Sequence, residues 1–259
     1  MNNDSEYSIN LLDRQEIIKP LISYPDGDYI QNRNILTELE AEEKRLTLAY
    51  GIGSFLTAAS LFSPTYPFTA FASHAVSGFT LEYMVRVRRI YTVTKMLLEC
   101  FEDEGITITL RVKTNLAIID LFVKMPDRRS FALLLRSNGN GAVKWREDKQ
   151  KFFIYKVGKK PRKWDSMTRT IEQLKSTIYL KDLKSPLLGT SRADRNRPIN
   201  KVVVLCSSTT IHPDHAPEFW SEFGRTRALQ IYKDGLTCII EQQKLTDFLL
   251  PPQKSSEQQ

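Results

Sequence analysis

The chain has 259 residues, a formal net charge of +7 and a pI near 9.2. That length supports one good core, or one core with a smaller appendage, and the basic balance favours anionic partners such as nucleic acid or an acidic membrane face. Cys100, Cys206 and Cys238 lie far apart with no C-x-x-C spacing, which argues for a reducing compartment and against a disulfide framework or structural zinc.

The opening MNNDSEYSIN lacks the basic region and apolar stretch of a secretory signal, so none is expected. Residues 1–33 read as a polar segment with a turn at Pro25-Asp26-Gly27-Asp28. From about Asn34 the run ILTELEAEEKRLTLAYG predicts a helix. Leu46 to Leu81 then contains no Lys, Arg, Asp or Glu and divides at Ser63–Pro67. Lys44 and Arg45 precede this stretch, Arg86, Arg88 and Arg89 follow it, and small residues such as Gly51, Gly53 and Gly78 permit close helix packing. Residues 34–89 are therefore expected to form a helix and an apolar helical hairpin, membrane-spanning with both ends cytoplasmic. The alternative is a hairpin buried in a soluble, cytoplasmic domain or a homo-oligomer.

Residues 83–103 have apolar positions at helical spacing (Val87, Ile90, Val93, Leu97, Phe101) and end before Gly105. Strands are expected at 106–112, 116–124 and 130–137, the last two apolar enough to be central. A turn at 137–141, a shorter hairpin, a helix at 166–181, an Arg-containing loop at 189–198 and a strand at 201–206 follow. RALQIYK, LTCIIE and a short helix near KLTDFLL close residues 90–250, and 251–259 reads as a disordered tail. The expected class is α/β, with a mixed central sheet flanked by helices and preceded by the apolar hairpin.

Chemistry concentrates in the hairpin from Asn115 to Ser137. Asp120 sits inside one apolar strand and Arg136 ends the next. The segments IIDLFV, FALLLRSNGNGAVKW, the IEQLK helix, KVVVLC and CIIEQQKLTDFLL together resemble the nuclease-related domain of the PD-(D/E)xK superfamily over about residues 91–250. Asn138, Gly139, Gly141, Trp145 and Gln173 fit that pattern. The resemblance implies a Mg²⁺ ligand at Asp120 and a Glu-x-Lys where this chain has Leu134-Leu135-Arg136. Two carboxylates are needed to hold the ion, and an always-protonated Arg is a poor substitute for a Lys acting as base. Glu99 or Glu102 on the preceding helix is the candidate replacement acid, and Asp127 reads as a turn residue. For Asp120 the competing reading is a strand-end acid paired with Arg136.

The expectation is a membrane-associated domain without catalysis or cofactor, acting in nucleic-acid or protein binding. The alternatives are an active Mg²⁺ nuclease using Asp120, Arg136 and Glu99, or a soluble oligomeric scaffold. The candidate nucleic-acid residues are Lys144, Trp145, Arg146, Lys159, Lys160, Arg162 and Lys163, where cations interleave with aromatics. The same run would also suit anionic headgroups, or form an exposed hairpin with its aromatics packed inward. His212 and His215 read as a surface turn and not a zinc site.

Overall fold

The computed structural model describes residues 32–60, 66–182, 185–189, 191–232 and 235–251. The expected turn at Pro25–Asp28, most of the 1–33 segment, the break at Ser63–Thr65 and the tail from 252 lie outside the described residues.

Two long helices come first, α1 (Asn32–Ser60) and α2 (Tyr66–Phe101). α2 runs through the boundary expected at 89/90, so the second arm of the apolar hairpin and the amphipathic helix are one element. Neither Gly nor Pro interrupts the sequence between Gly78 and Gly105, where a φ of 87° turns the chain out of the helix region. No helix among the described residues is long and apolar enough to cross a membrane.

The chemistry of the hairpin inverts along its length. At the base, Ile35 and Leu39 of α1 and Val87, Ile90, Val93 and Leu97 of α2 are fully buried. Further along, the buried residues among those described are Gly53 and Ser77, while Leu48, Ile52, Phe55 and Leu56 form an exposed stripe at i, i+4, i+7 and i+8. A Cβ on Gly53 would lie 2.7 Å from Ser77 Oγ, so glycine is what lets the helices approach there.

Three antiparallel strands follow: β1 (Thr107–Lys113), β2 (Ile118–Lys124) and β3 (Ser130–Arg136). β4 (Ala142–Arg146), β5 (Lys151–Tyr155) and β6 (Arg162–Lys163) make a second meander. The helix expected at 166–181 breaks at Lys175-Ser176 into α3 (Asp165–Leu174) and α4 (Thr177–Asp182), and the loop at 189–198 contains a short helix, α5 (Arg192–Asn196). The chain ends in β7 (Ile199–Leu205), β8 (Thr210–Ile211), β9 (Trp220–Phe223), β10 (Thr226–Tyr232), β11 (Leu236–Glu241) and α6 (Leu245–Leu249).

The main sheet has the order β1-β2-β3-β7-β11-β10-β9, with β3, β7 and β11 mutually parallel and the outer pairings antiparallel. The second sheet is β6-β5-β4-β8. The α/β expectation with a mixed central sheet flanked by helices holds at this level. Alternation divides the main sheet into two faces. Phe122, Leu134, Val203 and Leu205 share one core with Trp145 and Phe152 of the second sheet and Met167 and Ile171 of α3. On the other face, Phe131 meets Phe248 of α6 edge-on, with ring centroids 6.0 Å apart.

Candidate functional site

Local backbone geometry aims Asp120. The β1–β2 ladder pairs Leu110 with Leu121 and Val112 with Ile119 but skips Arg111 and Asp120, and Arg111 takes a left-handed φ of 50°. Ile119 and Phe122, three residues apart, then share one core, so the two-residue alternation slips by one at Asp120. Arg111 turns to α1 and α2, where its guanidinium grips Glu42 through two bonds of 2.9 and 2.8 Å and lies over Tyr83. Asp120 is left between α2 and the end of β3.

The Asp120 side chain is 0% exposed, and its carboxylate is fully engaged. Oδ1 accepts from Arg86 Nε at 3.0 Å and Nη2 at 2.6 Å. Oδ2 accepts from the Leu135 amide at 2.9 Å and Arg136 Nη1 at 3.1 Å. Four bonds fill the roughly four lone-pair positions of a carboxylate. Burial pushes the Asp120 carboxyl up, but the charges of Arg86 and Arg136 and the Leu135 amide outweigh it and hold it below its ordinary value.

Arg136 is fixed in turn by α3. Its Nε donates to Thr170 Oγ1 at 2.7 Å, its Nη2 to Gln173 Oε1 at 3.2 Å and its Nη1 to the Leu135 carbonyl at 2.8 Å. Burial lowers its pKa and the charge of Arg86 adds to that effect, while Asp120 opposes it. Arg89, one turn beyond Arg86, has a buried Nε with no acceptor. Cys206 follows β7 and donates its amide to the Arg136 carbonyl at 2.7 Å. Burial raises its thiol pKa to about 12 against the opposing pull of Arg89.

These residues do not fit a divalent cation. The pairing reading of Asp120 and Arg136 holds, with Arg86 as a further partner. Leu134, where a second acid would stand, is fully buried in the core. Glu99 is not brought to the cluster: it lies thirteen residues beyond Arg86, about 20 Å along the helix at roughly 1.5 Å per residue. Its carboxylate is exposed and 3.9 Å from Lys95. Glu102 is exposed one turn further on. Among the described residues no group of three or more His, Cys, Asp or Glu is placed to hold a metal ion. His215 accepts the Trp145 amide on Nε2 at 3.0 Å and faces the His212 carbonyl through Nδ1, so it fastens β4 and its neighbouring loop.

The basic run separates into two faces. In β4 and β5, Val143, Trp145, Phe152 and Ile154 point into the core, while Lys144, Arg146, Phe153 and Tyr155 are half-buried on the other face. Trp145 therefore presents no face for base stacking, because its ring packs against Phe152 at 4.8 Å. Arg146 is bound to Asp148 at 2.8 Å, and Lys144 lies 3.9 Å from Asp214. Lys159, Lys160, Arg162 and Lys163 are exposed, and none has an ion-pair partner among the described residues. The half-buried Trp220, which sequence reasoning passed over, lines a groove of about 440 Å³ with Arg225, Arg227 and Lys244.

Sequence reasoning also passed over Arg86 as a partner of Asp120, and Arg89 one turn further along the helix. A signal was present: two cations three apart on the face that carries Ile90 and Val93, upstream of an acid inside an apolar strand. No protein-family model, curated protein or solved structure matches the chain.

Proposed function

We propose that the chain is a nucleic-acid-binding protein of nuclease-related architecture that does not cleave. The observation that carries this reading is the capture of Asp120 by two guanidiniums and a backbone amide, which leaves neither of its oxygens free for a metal. The order of a long helix, three antiparallel strands, a helix and a strand parallel to the third supports the resemblance to the PD-(D/E)xK superfamily. Binding is assigned to the segment 157–163, where Lys159, Lys160, Arg162 and Lys163 stand exposed, with no ion-pair partner among the described residues. Contacts of this kind track phosphates and carry little sequence information.

The test is anisotropy of a labelled single-stranded oligonucleotide across a salt series. Affinity is expected to fall steeply with salt, by roughly 0.7 in the log–log slope per neutralised phosphate. Replacing Lys159, Lys160, Arg162 and Lys163 by Glu together should abolish it. Salt-independent binding, or full affinity in that variant, would sink the assignment.

A second reading concerns the hairpin, and the inversion of its chemistry favours it. Small residues inside and Leu48, Ile52, Phe55 and Leu56 outside suit apolar surroundings better than water. We assign this end of the hairpin to insertion into an anionic lipid surface, with Lys44, Arg45 and Arg88 at the headgroups. Flotation with anionic vesicles should recover the full chain and lose it on Phe55→Asp. A stable dimer that ignores vesicles would assign the stripe to a second copy instead.

A further inference from the structure

We infer that the cluster around Asp120 is a metal-free site for one phosphoryl group, held by Arg86, Arg89 and Gln173. The hydrogen-bond inventory leaves donors over and no acceptors. Asp120 is saturated by its four bonds. Arg86 spends Nε and Nη2 on Asp120 and keeps Nη1 free among the described residues. Arg89 Nε is buried and unpaired. Gln173 accepts from Arg136 through Oε1, and since an arginine can only donate, its amide nitrogen is the atom left available.

Charge points the same way. Two guanidiniums hold one carboxylate, and Arg89, one turn along α2 from Arg86, adds a third cation on the same side of the helix. A multiply charged anion with several acceptor oxygens would complete both the charge and the hydrogen bonding, and guanidinium forks match phosphoryl geometry.

Position adds an independent argument. Arg136 is the last residue of β3, and Cys206 follows its parallel neighbour β7. Ligands of open α/β sheets sit outside the carboxyl ends of such strands. Solvent reaches the place, since the side chains of Arg86 and Arg136 are 31% and 22% exposed. The site thus reverses the electrostatics of a metal-dependent nuclease: protein cations meet the phosphoryl group directly.

The phosphoryl group could be inorganic phosphate or the phosphorylated end of a nucleic acid; the latter source alone rests on the function proposed above. The test titrates inorganic phosphate into the full chain at low salt, by calorimetry and by thermal melting, for the native protein and Arg89→Met. Arg89 has no partner among the described residues, so its variant should fold and melt no lower than the native protein without phosphate. The expected result is a phosphate-dependent rise in Tm for the native protein and at least a tenfold loss of affinity in Arg89→Met. Unchanged affinity in the variant, no titration in the native protein, or a lower phosphate-free Tm in the variant would each overturn the site. A 5′-phosphorylated oligonucleotide that outcompetes its 5′-hydroxyl counterpart assigns the group to a nucleic-acid end; equal competition assigns it to free phosphate. The variant with Glu at 159, 160, 162 and 163 should still take phosphate, so failure of nucleic-acid binding and failure of this site are read separately.

Discussion

Arg86 Nη2 lies 2.6 Å from Asp120 Oδ1, and that bond joins α2 to β2 at the point where the β1–β2 ladder is interrupted. The pair is unequal, because Asp120 is fully buried whereas the Arg86 side chain is 31% exposed. Removing the cation takes both donors from Oδ1 of a desolvated carboxylate, while removing the acid leaves arginines that water can reach. Arg86→Met should therefore cost about 3–5 kcal/mol, the range for breaking a buried pair, and Asp120→Asn distinctly less. Urea unfolding of both variants measures the difference. Equal or reversed costs would contradict this account of the pair.

The same pair sets a pH dependence. Asp120 is held below its ordinary pKa in the folded protein, so its contribution is present above the unfolded value and lost as pH falls through the lower folded one. In Arg86→Met, burial is the largest influence left, and it raises the carboxyl pKa. The stability deficit of Arg86→Met relative to the native protein should thus shrink as pH is lowered from 7 to 4. Denaturant melts at several pH values read it directly, and a deficit that grows on acidification would refute the assignment.

Leu134 stands opposite Asp120, one step past the Leu121–Leu133 pair that ends the β2–β3 ladder, and its side chain lies in the core shared with the second sheet. Leu134→Glu installs an acid at the position where a PD-(D/E)xK pattern would have one, but it places a carboxylate in the core that holds Trp145, Met167 and Val203. The expected outcome is a loss of roughly 3 kcal/mol or more, with no Mn²⁺ binding gained. Thermal melting with and without Mn²⁺ checks both halves.

Thiol reactivity should single out Cys100. It is exposed, whereas burial raises both Cys206 and Cys238 to about 12. A disulfide-forming reagent at pH 8 should modify one thiol in the folded chain and three in denaturant. Rapid native labelling of Cys206 would mean that the end of β7 opens to solvent.

Much of this was legible in the sequence, and the misses have physical causes. The succession of the central strands was readable from their apolar runs, and an acid in one run with a cation ending the next supplied the Asp120–Arg136 pairing as one of two readings; the order of strands in the sheet was not readable. Charge alone makes Arg86 and Arg89 flanks of an apolar hairpin, whereas helical phase puts them on the face of α2 that carries Ile90 and Val93. The basic run misled for a related reason. In a strand, a cation next to an aromatic lies on the opposite face, so interleaving along β4 and β5 sends Trp145 and Phe152 inward. The slip at Asp120 had no signal in composition, since it depends on the left-handed backbone of Arg111.

The decisive measurement is incubation of the purified chain with labelled single- and double-stranded DNA and RNA in Mg²⁺ and in Mn²⁺, beside Asp120→Ala. Neither protein is expected to cleave with either metal. Cleavage by the native chain that disappears in Asp120→Ala would show that Asp120 holds a catalytic ion, and would contradict that expectation.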